Sequence, residues 1–420
     1  MTTVPTVQKR PEIKYVILEP NFRNGQKWAH RRKTLQSAFH VNILESFHPV
    51  IVEQTAQLVD IIRRDHHEGT FVDVLPLMIN VALDIVCETS MGVRLNVQRN
   101  PALEYACAVR RVSRNVVKRM VRPHHWNRLI YEHFSVSGRQ NRRDLQTVHS
   151  FTKEVISRKR AEMAAANEEK KEEVELQTKA GAKKRYAFLD LLLHLKDTTS
   201  GQNGWSDEAL QEEVETLMVA GHESTAMTLT WTLLLLGNHP QVQRTVQEEV
   251  DQLFESDNLS KAEDTESLAH YLGKAVKGLE YLNAVIKESL RLFPPAPIIG
   301  RTAKTDIKVP GDHQIIPAGS SVLLFLYNIH RDEAVFEQAE RFKPERFIEK
   351  STSFLSHPFA FVPFSAGPRS CIGAKLAMTE VAMMLALLMR SFTVTAEKRF
   401  EEVGVIPEIT LRPEGPVAIR

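Results

Sequence analysis

The chain has 420 residues, a formal net charge of +2 and a hydrophobic share of 43%, ordinary values for a globular protein with a large core. No long basic run with interleaved aromatics is present, which sets nucleic acid aside as a partner. The cysteines Cys87, Cys107 and Cys371 are odd in number and far apart, a pattern that suits a reducing compartment rather than a disulfide framework. The opening "MTTVPTVQKRPEIKY" lacks the apolar core of a signal peptide.

Helical periodicity dominates, with apolar residues three and four apart near residues 28–39, 43–66, 72–91 and 148–166. Cys87 and Cys107 fall within such patterns and read as buried thiols. Residues 167–184, "NEEKKEEVELQTKAGAKK", are almost free of large apolar side chains and read as a mobile, solvated link between helices, inside one domain. Ser206 then caps a helix predicted to run to about Gly237, with Asp207 and Glu208 in its first turn. Its uncharged part stops at "GNHP", short of the roughly 20 apolar residues a membrane span needs, so a buried helix is expected. A further helix must end at "RLFPPAP", where prolines forbid continuation. Short strand patterns follow in "DIKVP" and "SVLLFLYNIH". The expected class is mainly α with minor β.

The chemistry concentrates in "FSAGPRSCIGAKLAMTE", residues 364–380. Cys371 precedes a helical pattern, where backbone N–H groups stabilise a thiolate ligand. Gly367 and Gly373 remove side chains where a flat, bulky group would lie against the backbone, and Arg369 offers a fork of donors for a carboxylate. A buried cysteine on a tight turn is the plainer reading of Cys371 alone. The spacing F-x-x-G-x-R-x-C-x-G from Phe364 to Gly373 fits haem instead, with sulfur on iron and arginine on a propionate.

Here the sequence resembles the cytochrome P450 family of haem-thiolate monooxygenases, over nearly everything from about Asn21 onward. "WAHRR" matches W-x-x-x-R, which implies Trp28 and Arg32 at a haem propionate; core plus surface is the alternative. "KESLR" matches E-x-x-R through Glu288 and Arg291, a spacing that alone suits a surface pair. Arg346 in "FKPERF" is implied as the third member of a buried network. Arg301 resembles another propionate arginine, with solvent exposure as its alternative. In "AGHEST", Gly221 costs a helix about 1 kcal/mol relative to alanine and implies either close approach of a flat ligand or tight helix packing. The resemblance gives Glu223 and Ser224 the role of relaying protons toward the haem, and leaves His222 to packing or a hydrogen bond.

"LDIVCETSMG", "KKRYAFLDLLL" and "EVETLMVAGHEST" resemble segments of the fatty-acid-hydroxylating family 4 branch. That branch often carries a glutamate esterified to haem where this chain has Ala220, so the resemblance implies haem b without covalent attachment. Serine also replaces the usual threonine at 224. Only 27 residues precede Trp28; in the family a membrane anchor, early helices and part of a small sheet ordinarily lie there, so the expected fold lacks them. The implied activity is insertion of one oxygen atom from dioxygen into a lipophilic substrate such as a fatty acid, steroid-like molecule or xenobiotic. Electrons would come from NADPH through NADPH-cytochrome P450 reductase, with cytochrome b5 as an additional donor, at the cytosolic face of the endoplasmic reticulum membrane. Lys27, Arg31, Lys33 and Lys375 are candidates for the docking face. The rival expectation is a non-catalytic haem-binding or structural helical protein.

Overall fold

The computed structural model describes residues 26–101, 104–120, 122–127, 129–173, 187–199, 205–256, 264–309, 311, 314–348 and 357–420. Thirteen α-helices are described: α1 (Gln26–Leu35), α2 (Val41–Glu45), α3 (His48–Asp65), α4 (Val74–Val86), α5 (Glu104–Met120), α6 (Val136–Glu173), α7 (Phe188–Thr199), α8 (Asp207–Asn238), α9 (Pro240–Glu255), α10 (Thr265–Ala275), α11 (Glu280–Leu292), α12 (Leu326–Ile329) and α13 (Ala374–Ser391). The strands are short: β1 (Val72–Asp73), β2 (Ile298–Thr302), β3 (Ile307–Lys308), β4 (Ile315–Ile316), β5 (Ser321–Phe325), β6 (Val405–Pro407), β7 (Leu411–Pro413) and β8 (Ala418–Ile419). They form antiparallel pairs β1–β8, β2–β5, β3–β4 and β6–β7.

The axis of the fold is α8. Ser206 caps it by accepting the Ala209 N–H at 3.2 Å, and its 32 residues reach about 48 Å at 1.5 Å per residue. Its first half, with Leu210, Val214 and Met218, packs into one apolar cluster with α5, α6 and α7. Its second half, Ala226 to Leu236, packs into another with α3, α9, α11 and α13. Between the halves lie residues 221–225, where the helix passes from one core to the other.

Such burial requires that polar side chains be satisfied locally. Thr228, Thr230 and Thr232 donate to the carbonyls of Ser224, Ala226 and Thr228, as hydroxyls inside helices do. Trp231 stacks on Phe293, with ring centroids 4.1 Å apart, and donates its indole N–H to Leu411 O at 3.0 Å.

One expectation needs correction. Residues 167–173 are the last turns of α6 rather than a link. Glutamate, lysine and alanine are good helix formers, so a helix can outlast its apolar face. The remainder of that segment, 174–184, lies outside the described residues. The 18-residue stretch Val74–Met91 has the length and apolarity of a membrane span, yet 72% of it is buried inside the fold.

Candidate haem-thiolate site

Cys371 lies two residues before Gly373, the residue that opens α13, on a turn closed by its own N–H donating to Phe364 O at 2.9 Å. Ser365 at φ 61° and Gly367 at φ 72° bend the chain there. At Gly367 a Cβ would meet nothing within 4 Å, so the left-handed backbone, not crowding, calls for glycine. Gly373 has a different role: a Cβ there would lie 4.0 Å from Cys371 Sγ and 3.8 Å from Phe39 Cε1. Its absence leaves the backbone beside the sulfur bare, and Cys371 is exposed. Surrounding protein raises the thiol above its ordinary value, opposed by the Gly373 N–H and by the Arg32 guanidinium.

Three elements bring arginines to this turn. Arg369 lies over the Trp28 ring of α1 at 3.7 Å, a cation–π contact that fixes its head. Arg301 of β2 donates to Ser365 Oγ at 3.0 Å and to Gly300 O at 2.9 Å. Arg32, one turn along α1 from Trp28, is lowered below the ordinary arginine value by partial burial, with Cys371 acting in the opposite sense. Partial burial, then repulsion from Arg301 and Arg32, lowers Arg369 below the ordinary arginine value. Among the described residues no carboxylate forms an ion pair with Arg32 or Arg301. A cluster of cations beside an accessible thiol fits a ligand that brings its own carboxylates and a metal for sulfur. Phe364 is half-buried against the larger core.

The residues predicted on α8 are engaged elsewhere. A Cβ on Gly221 would lie 2.7 Å from Val86 Cγ2 of α4, so tight helix packing calls for glycine here. Glu223 is buried and bound to Arg412 of β7 at 2.5 Å. Ser224 is half-buried and donates to Ala220 O at 2.7 Å. His222 bonds the Met218 carbonyl at 2.6 Å, as its packing role implied. Arg31 leaves the docking surface: it is buried, paired with Glu213 at 2.7 Å and with Glu212 at 3.3 Å. Lys33 and Lys375 are exposed, and the Lys27 side chain lies outside the described residues.

Beneath the cysteine turn the implied ion network is complete. Glu288 and Arg291 are wholly buried and doubly bonded at 2.8 Å, and Arg346 Nε donates to the same carboxylate at 3.0 Å. Arg291 also bonds the His330 and Arg341 carbonyls, and the Lys343 N–H adds to Glu288. His330 in turn accepts the Val362 N–H at 3.0 Å, tying the network to the segment leading into the turn. Burial and the Arg291 and Arg331 charges push His330 down to about 4. Burial raises the Cys87 thiol, making it an inert core residue.

Sequence reasoning did not find Arg412 and Thr410, which contact Glu223, nor Glu408 and Arg114, which extend the chain of charges beyond Arg412. A buried acid demands a cation, but nothing in the sequence says which one. Glu380 was missed too, although its place as the one acid inside the apolar run "LAMTEVAMML" is a signal; it is buried, and burial pushes it up to about 8.

This thiol, its arginines and the buried charge network define a haem-thiolate protein. A family model described as cytochrome P450 matches residues 10–416, and the chain belongs to that family of haem monooxygenases. It is 38% identical over 401 residues to cytochrome P450 4V2 of Rattus norvegicus, covering 94% of this chain and 72% of that protein. Over 397 residues it is 38% identical to cytochrome P450 4V2 of Homo sapiens, with the same coverage. Cytochrome P450 4c3 of Drosophila melanogaster is 35% identical over 399 residues, covering 94% and 71%. The resemblance to family 4 thus holds. The family carries non-covalently attached haem b and uses electrons from a reductase. Ala220 agrees, since it offers no carboxyl for an ester link.

Proposed function

We propose that this chain inserts one oxygen atom from dioxygen into a lipophilic substrate (a fatty acid, steroid-like molecule or xenobiotic). NADPH would supply electrons through NADPH-cytochrome P450 reductase, with cytochrome b5 as an additional donor, at the cytosolic face of the endoplasmic reticulum membrane. The observation that carries the reading is the convergence of Arg32, Arg301 and Arg369 on one accessible thiol, Cys371. Cys371 would hold the iron, and the arginines with Trp28 would hold the propionates. When bound, haem supplies dioxygen activation and oxygen transfer, the second oxygen atom leaving as water.

The protein's own groups then handle orientation and protons. The sulfur is exposed, and Gly373 leaves the backbone beside it bare. Ser224 presents a hydroxyl on the half-open face of α8, able to accept and pass on a proton once it turns from Ala220 O. Glu223, bound to Arg412 as a carboxylate, takes up and passes on a proton only after it leaves that pairing. A family 4 relationship supports lipids as substrates.

The deciding experiment is the spectrum of the reduced, carbon-monoxide-bound protein. Wild type and Cys87→Ala should show the thiolate-type absorption and Cys371→Ala should lose it; its survival in Cys371→Ala overturns the ligand assignment. Substrate-dependent NADPH consumption with a reductase, yielding an oxygenated product, separates an enzyme from an inert haem protein.

A further inference from the structure

The carboxylate of Glu223 stands at one end of a buried ion ladder that leaves α8 altogether. Arg412 Nη2 holds it at 2.5 Å, and the Thr410 hydroxyl lies at 3.5 Å from its other oxygen. Arg412 in turn faces Glu408, with Nε 3.5 Å from Oε2. That separation is too long for a good hydrogen bond, and both atoms are buried without another hydrogen-bond partner. Glu408 gives its better bond to Arg114 of α5, whose Nε donates to Oε1 at 2.9 Å. Arg114 is half exposed, whereas Glu408 and Arg412 are buried.

The hairpin carrying the middle of the ladder is pinned. Leu411 N–H donates to Pro295 O at 2.9 Å, and Leu411 O accepts the Trp231 indole at 3.0 Å. Arg412 is therefore fixed, while the exposed end of the ladder belongs to α5. Two arrangements of the same charges are available. In the observed one Arg114 draws Glu408 away, and Arg412 gives its best bond to Glu223. If Arg114 withdraws, Glu408 can close on Arg412 Nε, satisfying two stranded atoms and dividing the charge of Arg412 between two carboxylates.

We propose that Arg412, Glu408 and Arg114 are positioning residues that set how tightly Glu223 is held, so that movement of α5 releases the acid. This rests on Glu223 supplying protons, and the test separates the two ideas. The variants are Arg114→Ala, Glu408→Gln and Glu223→Gln in the haem-loaded protein with reductase, reading product, peroxide and the solvent isotope effect on kcat. Arg114→Ala frees Glu408 to compete for Arg412, and should lower the isotope effect by about twofold. Glu408→Gln leaves Glu223 as the sole counter-charge of Arg412, and should raise it by about as much. Opposite signs in two removals are not what simple loss of structure produces, and Arg114→Lys should restore the wild-type value.

A second readout needs no turnover. Among the described residues Glu408 is the ion-pair partner that Arg114 and Arg412 share, so the Tm shifts of Arg114→Ala and Arg412→Lys should fail to add in the double variant. If Glu223→Gln behaves as wild type, the acid reading and the ladder fall together. If Glu223→Gln uncouples the reaction while Arg114→Ala keeps the wild-type isotope effect and the Tm shifts add, the ladder is overturned and the acid stands. Arg114→Ala, at a half-exposed position, decides the matter even if Glu408→Gln does not fold.

Discussion

Replacing Gly221 by alanine separates two accounts of a glycine in mid-helix. In an ordinary helix interior the change stabilises by about 1 kcal/mol. Here the new methyl would lie 2.7 Å from Val86 Cγ2 and 3.5 Å from Val86 Cβ. Two carbons are comfortable at about 3.5–4.0 Å, so α4 and α8 must part by most of an ångström where both are buried. Overpacking of this kind costs about 1–3 kcal/mol, leaving Gly221→Ala destabilising by about 0–2 kcal/mol after the helical gain. Val86→Ala removes the offending Cγ2 and leaves only the ordinary 3.5 Å contact. In that background Gly221→Ala should therefore stabilise, by about 1 kcal/mol. Urea unfolding of the four haem-loaded proteins, followed by circular dichroism, gives the cycle. Effects of Gly221→Ala that agree within about 0.5 kcal/mol in the two backgrounds would refute the packing account.

Arg346→Ala removes one charged hydrogen bond from Glu288 while Arg291 still neutralises it, and should destabilise by about 1.5–3 kcal/mol in the same unfolding assay. For Glu380 the folded carboxyl titrates near 8 against a reference of 4.5, so the unfolded chain loses its proton first. Stability therefore falls as pH rises between those values, by up to about 1.4 kcal/mol per unit. Glu380→Gln should flatten that slope and leave the variant more stable than wild type at pH 8; parallel curves would show the acid is not held neutral. Ser224→Ala should raise peroxide per NADPH and lower product with substrate affinity little changed, while Ser224→Thr keeps coupling. Thr225→Ala, about 100° around the helix, serves as the control. Uncoupling in Thr225→Ala alone would move the alcohol by one position.

Much of this was legible because the signals are local. Ser206 announced its cap three residues ahead of the N–H it accepts, and the prolines after Phe293 stopped α11 at Leu292. The glycines around Cys371 marked the turn, one for its backbone angle and one for the space beside sulfur. The charged residues 167–173 misled because low apolarity reports on burial, not on helicity. Arg31 misled in the opposite way: a basic residue between two others reads as surface, yet α1 turns it onto Glu213 of α8.

By itself the sequence determined the predominance of helix, the Ser206 cap and the proline stop after α11, the cysteine turn and the residue types able to hold haem, since caps, prolines, glycines and periodicity act within a few residues of themselves. Only the tertiary structure decided which charges meet. Glu223 finds Arg412 across 189 positions, Arg301 finds Ser365 across 64, and Gly221 owes its identity to a methyl on another helix. A buried charge requires a partner without specifying it, and that choice is made by the packing of whole elements.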